Sequence, residues 1–174
     1  SQNLESTVEK RQLSTMEARM TIPEHNLAKM GIDIAHVDRT GKGVLPFRRY
    51  KDLVFVSGHG PFDMEGQPLV QGTVGVDLTP EQGYEAARLA AVRMLATIKD
   101  AVGDLDNIDY FVKALCIFNS GGDFYDMPAQ ANGFSHIFTR AFGQRGQHAR
   151  AAMGCGTHSR NVPFMVDMIL KLKR

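Results

Sequence analysis

The sequence predicts an α+β domain in which two helices cover one face of a sheet. Three observations carry that expectation. Thr79-Pro80-Glu81-Gln82 reads as a helix-starting capping box, followed by apolar residues at helical spacing. Phe111 to Phe118 is an apolar run broken only by Lys113, the pattern of a central strand. Phe164 to Leu170 is likewise apolar except for one acid, Asp167. At 174 residues the chain is long enough to build one core without disulfides or metal.

Taken in order, Ser1 to Met20 is polar and charged with scattered apolar residues, and reads as a mobile or loosely helical extension (1–20) ahead of a domain spanning 21–174. Thr21 to Gly31 reads as a short helix, with Leu27 and Met30 on one face and Gly31 as its stop. Val44–Tyr50 and Leu53–Ser57 read as two strands around Lys51-Asp52, the second running into Gly58-His59-Gly60-Pro61. The capping box at Thr79 opens a helix that ends near Val102-Gly103. Phe111–Phe118 follows as a strand, then a helix from about Asp126 to Phe142. The last two strands are His148–Gly154 and Val162–Leu172. With both helices on one face, the other face of the sheet is left to be covered, which implies a partner subunit.

Composition excludes several classes. Hydrophobic residues at 43% and charged residues at 22% rule out a disordered or collagen-like chain. A net charge of +1 provides no general field for nucleic acid or an anionic membrane. No apolar run is long enough to span a bilayer, and the first residues have no signal-peptide core, so a cytoplasmic protein is expected. Cys116 and Cys155 form no CxxC pair, which fits reduced thiols. The six histidines show no metal-ligand spacing, and no metal is expected.

Two residues carry charge where the pattern is apolar or small. Arg150, within Ala149-Arg150-Ala151-Ala152, must be paired or face a cleft, and its fork suits a carboxylate. Either an anionic ligand or an interface salt bridge meets that need. Asp167 shares a face with Met165 and Ile169, opposite Phe164, Val166 and Met168, so a half-buried carboxylate paired with a cation is expected. Cys155 with His158 or His148 would make a thiol nucleophile, but alternation puts Cys155 on the face away from Arg150, Ala152 and Gly154. His59, flanked by glycines at a strand end, is placed for a ligand.

Leu53-Val54-Phe55-Val56-Ser57-Gly58, Val112-Lys113-Ala114-Leu115, Asn132, His148-Ala149-Arg150-Ala151 and Asn161-Val162-Pro163 together resemble the RidA/YjgF family of reactive-intermediate deaminases. The resemblance runs from about Leu53 to the C-terminus, and the longer N-terminal part looks like a larger branch of that family. It implies a chorismate-mutase-like fold and a homotrimer with a central β-barrel and clefts between subunits. It also implies that the arginine matching Arg150 holds the carboxylate of an imine or enamine, with the positions of Ser57 and Asn132 lining the cleft. Water then releases a keto acid and ammonia without a cofactor.

The family's acid position is occupied by Met165, which cannot carry a proton. Asp167, on the same face, and His59, near neutral in its ordinary pKa, are the candidate catalytic residues in its place. The sequence thus favours a hydrolytic deaminase on a small imine or enamine carboxylate. A non-catalytic trimer binding a small carboxylate or a partner comes second. A ribonuclease comes third, because no dense Lys/Arg run marks a path for RNA.

Overall fold

The computed structural model describes residues 21–34 and 43–174, so the expected N-terminal extension lies outside the described residues. Among the described residues three α-helices, α1 (Ile22–Lys29), α2 (Pro80–Val102) and α3 (Met127–Phe142), accompany five strands: β1 (Phe47–Tyr50), β2 (Leu53–His59), β3 (Ile108–Asn119), β4 (Ala149–Cys155) and β5 (Phe164–Leu172). The strands lie in the order β1-β2-β5-β3-β4. All neighbours are antiparallel except β3 and β4, whose connection through α3 brings them in parallel.

The capping box at Thr79 forms as the sequence suggests. The Gln82 backbone N–H donates to Thr79 Oγ1 at 3.3 Å, and the Thr79 N–H donates to Gln82 Oε1 at 2.8 Å. Along α2, Ala86, Ala87, Ala90 and Ala91 are fully buried, so a row of small side chains lets the helix sit close to its neighbours. The closest approach is at Gly133 of α3, where a Cβ would overlap the Tyr84 carbonyl of α2. Beneath the helices, Phe111, Phe118, Phe134, Phe138 and Phe164 form a buried aromatic cluster, with Phe111 and Phe138 centroids 4.8 Å apart. The short α1 is tied on by a Glu24–Lys99 ion pair and by Asn26 Nδ2, which donates to the Ala141 carbonyl at 2.8 Å.

Among the described residues the opposite face of the sheet is open. Phe55 is 41% and Met153 49% exposed there, and Met165, Ile169, Leu115 and Ile117 are half-buried in the same layer. Register places Leu115 beside both Asp167 and Ala151, and Ile117 beside Met165 and Met153, so these residues share the open face.

Element boundaries differ from the sequence reading in three informative places. β1 begins at Phe47, because Val44 and Leu45 run outside the ladder with 73% and 53% exposure. β3 reaches from Ile108 to Asn119, longer than the apolar run alone. β2 continues to His59, but its register with β5 jumps between Val56↔Met168 and His59↔Val166. Three steps on β2 match two on β5, which is a β-bulge.

Candidate functional site

Arg150 emerges from the edge strand β4 toward α3, not toward the open face. Its Nη1 donates to Asn132 Oδ1 and to Ser135 Oγ, each at 3.0 Å, and its Nη2 donates to the Pro128 carbonyl at 3.0 Å. Pro128, Asn132 and Ser135 sit at helical spacing on one face of α3, so a single helix face holds the fork. All three acceptors are neutral. Among the described residues Arg150 has no carboxylate partner. An arginine has five N–H donors, and three of these bonds leave the Nε–H and one Nη2 hydrogen for something else. Among the described residues the Arg150 guanidinium is thus held by neutral acceptors, and it keeps its charge and two donors.

Asn132 therefore acts first as the orienter of Arg150. Ser135 shares that work; its place three residues after Asn132, on the same helix face, was the available signal, and sequence reasoning passed it by. The shelf beside Arg150 is kept low by small residues. Ala152 and Gly154 point the same way along β4, and a Cβ on Gly154 would meet Ser120 Oγ and Met127 Cε.

Ser57 and Asp167 form a second cluster. They line a groove of about 650 Å³ on the open face together with Val44, Leu45, Arg48 and Phe55. The Ser57 hydroxyl donates to the Leu45 carbonyl at 2.6 Å, and its backbone N–H donates to the Pro46 carbonyl at 2.9 Å. Those two bonds fold the residues before β1 over the groove. The expected half-buried Asp167 is exposed, because none of the described residues covers this face.

The two clusters do not meet within one chain. Strands β5 and β3 separate β2 from β4, a distance of about 14 Å at the usual strand spacing. They also lie on opposite faces of the sheet.

His59 departs from the sequence expectation. Plain alternation would put it beside Ser57, facing the ligand. The bulge between Val56 and His59 turns it instead to the helix side, where it is 1% exposed. Its Nδ1 lies 2.6 Å from the Ser57 carbonyl, which only accepts, so Nδ1 carries the hydrogen. Its Nε2 lies 2.8 Å from Thr97 Oγ1, a hydroxyl that can serve the ring as donor or acceptor. A histidine held between β2 and α2 through both nitrogens pins the fold and lies on the face of the sheet away from the Ser57–Asp167 groove.

The thiols are equally well defined. Cys116 is buried in β3, and burial pushes its thiol up to about 12, so it stays protonated. Cys155 lies on the face away from Arg150, as alternation predicts. Its thiol donates to the Thr157 carbonyl at 3.3 Å, with His158 Nε2 3.7 Å from the sulfur. That nitrogen lies 2.9 Å from the Ile117 carbonyl and must donate to it, so it offers Cys155 no base. Among the described residues no three His, Cys, Asp or Glu side chains come together as metal ligands, and no helix is long and apolar enough to cross a membrane.

Residues 24–169 match the family model described as "YjgF/chorismate_mutase-like, putative endoribonuclease". The chain is 29% identical over 148 residues to protein TCP17 of Trypanosoma cruzi, covering 84% of this chain and 92% of that protein. Among solved structures it is similar to the protein Atu1372 from Agrobacterium tumefaciens, at 30% identity and a TM-score of 0.79 over 87% of this chain and 92% of that one. It is also similar to a "putative endoribonuclease" from Shewanella oneidensis, at 26% identity and a TM-score of 0.82, over 87% of this chain and 100% of that one.

Proposed function

Because the chain belongs to the YjgF/chorismate-mutase-like family, we propose that it is a hydrolytic deaminase of small imine or enamine carboxylates, working in clefts between the subunits of a homotrimer. The observation that carries this reading is the Arg150 fork, which rests on three neutral acceptors and keeps donors for an anion. The Nε–H and the remaining Nη2 hydrogen form the side of the fork that accepts a carboxylate bidentately.

The separation of the two clusters supports the shared cleft. No small molecule on Arg150 reaches Ser57 or Asp167 of the same chain, so a site using all three needs a second subunit. The apolar open face, with Phe55 and Met153 well exposed, gives those subunits a surface to bury. In a trimer the Ser57–Asp167 groove of one subunit would face the Arg150–Asn132 shelf of the next.

The chemistry asks little of the protein beyond placement and one proton carrier. With the carboxylate held on Arg150, water adds to the imine carbon of the iminium form. The proton released by the attacking water passes to the Asp167 carboxylate and returns to the departing nitrogen. The carbinolamine then collapses to a keto acid and ammonia, with no change of oxidation state and no group left on the protein. Met165 has no acid–base capacity, and His59 is held on the far side of the sheet, which leaves Asp167 as the proton carrier on the open face. An enamine would first tautomerise to the imine.

The test is ammonia release from freshly generated 2-aminoacrylate and from a panel of other imino acids, for the full chain and for Arg150→Ala. Release above the buffer rate that disappears in the variant supports the reading. Pyruvate binding at Arg150 without acceleration of any imine would leave a non-catalytic carboxylate binder. RNA cleavage that survives Arg150→Ala would instead favour the activity named for the Shewanella relative, although a net charge of +1 gives little to attract an RNA backbone.

A further inference from the structure

Beneath Arg150 runs a hydrogen-bond chain whose direction is fixed. Nδ1 of His148 lies 2.8 Å from the Gly146 carbonyl, so it carries the hydrogen. In the neutral ring Nε2 is then an acceptor, and the Ser135 hydroxyl donates to it across 3.0 Å. The Ser135 oxygen turns its lone pairs to Arg150 Nη1, also at 3.0 Å. The ring is held edge-on by Phe134 and Phe138, each with its centroid 6.0 Å away. The Gly146 carbonyl is brought in by a tight turn in which a Cβ at Gly146 would overlap the Phe138 carbonyl.

The charges around His148 are few. Helix α3 presents Phe134, Phe138, Ser135 and Asn132, none of them ionised. In the 143–146 turn, Arg145 is directed to Asp106 at 3.1 Å and to the Ile108 carbonyl at 2.8 Å. On β3, Lys113 neighbours Ala149 on the open face, and Cys116 is a protonated thiol. Arg150 is the charged group that acts on the imidazole. Burial holds His148 below the ordinary histidine range, the Gly146 bond opposes that, and the Arg150 charge lowers it further.

We propose that anion binding at Arg150 is coupled to protonation of His148 through Ser135, so that Ser135 and His148 are positioning residues that set how tightly Arg150 holds its ligand. The proposal rests on Arg150 being the carboxylate grip. A bound anion neutralises the charge that disfavours the imidazolium. Once His148 is protonated, its Nε2–H donates to Ser135, whose two lone pairs then serve both cations while its own hydrogen turns toward the cleft. The grip on Arg150 survives, and a second positive charge stands two hydrogen bonds behind it. By reciprocity, whatever ligand raises the affinity of His148 for a proton is itself bound more tightly at low pH.

The test uses the full chain with pyruvate, the product expected from 2-aminoacrylate and an anion throughout the range. Its affinity is measured by calorimetry at about pH 5 and about pH 7.5, and the His148 ring is titrated by NMR with and without saturating pyruvate. Binding should be tighter at the lower pH; for a ligand charge roughly 8 Å from the imidazole and an effective dielectric of about 20 the gain has a ceiling of about 30-fold, approached as His148 becomes fully protonated. The His148 midpoint should rise when pyruvate is present. His148→Gln keeps an acceptor for Ser135 but cannot titrate, so it should bind pyruvate at neutral pH and lose the acid gain. Ser135→Ala should bind more weakly and show a smaller ligand-induced rise of the His148 midpoint, since only the through-space charge effect remains. A His148 midpoint indifferent to saturating pyruvate in the unmodified chain overturns the coupling, whether or not the variants fold. So does a His148→Gln chain that keeps the full acid gain. Failure of pyruvate to bind at either pH overturns the carboxylate grip and the coupling with it.

Discussion

Replacing Arg150 with alanine should remove carboxylate binding while leaving the fold intact, and both magnitudes can be worked from the geometry. Two donors remain for a ligand after the bonds to Asn132, Ser135 and Pro128 are counted. A hydrogen bond to a charged group contributes about 1.5–3 kcal/mol, so losing both costs about 3–6 kcal/mol. That corresponds to a rise in Kd of at least about 100-fold. The cost to folding is smaller. The Pro128 bond is exposed and the other two are partly so, and water can replace the guanidinium at each acceptor. The stability change should therefore stay near about 1 kcal/mol. Arg150→Lys sharpens the test: one ammonium cannot serve three acceptors on α3 and still present a two-pronged edge to the ligand. It should recover only part of the affinity, whereas a site that depends on net positive charge alone would recover all of it. Calorimetric titration with pyruvate, beside urea denaturation of each variant, measures the two quantities separately. Pyruvate affinity within about threefold of the unmodified chain in Arg150→Ala would refute the reasoning. Unfolding or dissociation of that variant would show that Arg150 serves the scaffold instead.

Light scattering should give about three times the 19.2 kDa chain mass, and a single-chain mass would remove the shared cleft. Asp167→Asn should lower ammonia release by about 10²–10⁴-fold, the usual contribution of a positioned acid–base group, while Cys155→Ser retains it; the reverse result would promote the thiol. His59→Ala should act on stability, because it strands the Ser57 carbonyl and the Thr97 hydroxyl, and the urea midpoint should report a loss of about 2–3 kcal/mol. Gly133→Ala should cost about 1–3 kcal/mol or more, since α3 must move off the Tyr84 carbonyl, and an unchanged melting curve would show that close contact between α2 and α3 at Gly133 does not support the fold. Acid should weaken the fold through His148. Its folded pKa lies below the unfolded value of about 6.5, so the unfolded chain binds more protons and stability falls as pH drops below that value; His148→Gln should flatten this part of the profile in pH-dependent denaturation.

Much of the scaffold was legible because it depends on local rules. The capping box set the start of α2, and period two in Phe164–Leu170 separated the buried face from the open one, with Asp167 on the open side. The direction of Cys155 followed from the same alternation. What escaped was set by pairing between distant strands. Nothing within Ser57-Gly58-His59 announces an extra residue; the bulge exists because β2 must stay in register with β5 on both sides of it. That single step moves His59 from the ligand side to the core and undoes the simplest substitute for the missing acid. Val44 and Leu45 read as strand by composition, yet their carbonyl neighbourhood is taken up by Ser57, which folds them over the groove.

The site itself is divided in a way that a one-dimensional reading cannot show. Arg150 and Asn132 were both recognisable, and α3 brings them to 3.0 Å. Ser57 and Asp167 were recognisable too, and they share a groove. Strand order then places the pairs on opposite faces with two strands between them. Residue identity is therefore enough to pick out the parts of the proposed carboxylate site, but the order β1-β2-β5-β3-β4 keeps those parts apart in two unlike places within one chain. If the proposed shared cleft is the site, activity is tied to assembly: any change that frees the open face from a partner subunit should remove imine hydrolysis even where Arg150, Asn132 and Asp167 are untouched.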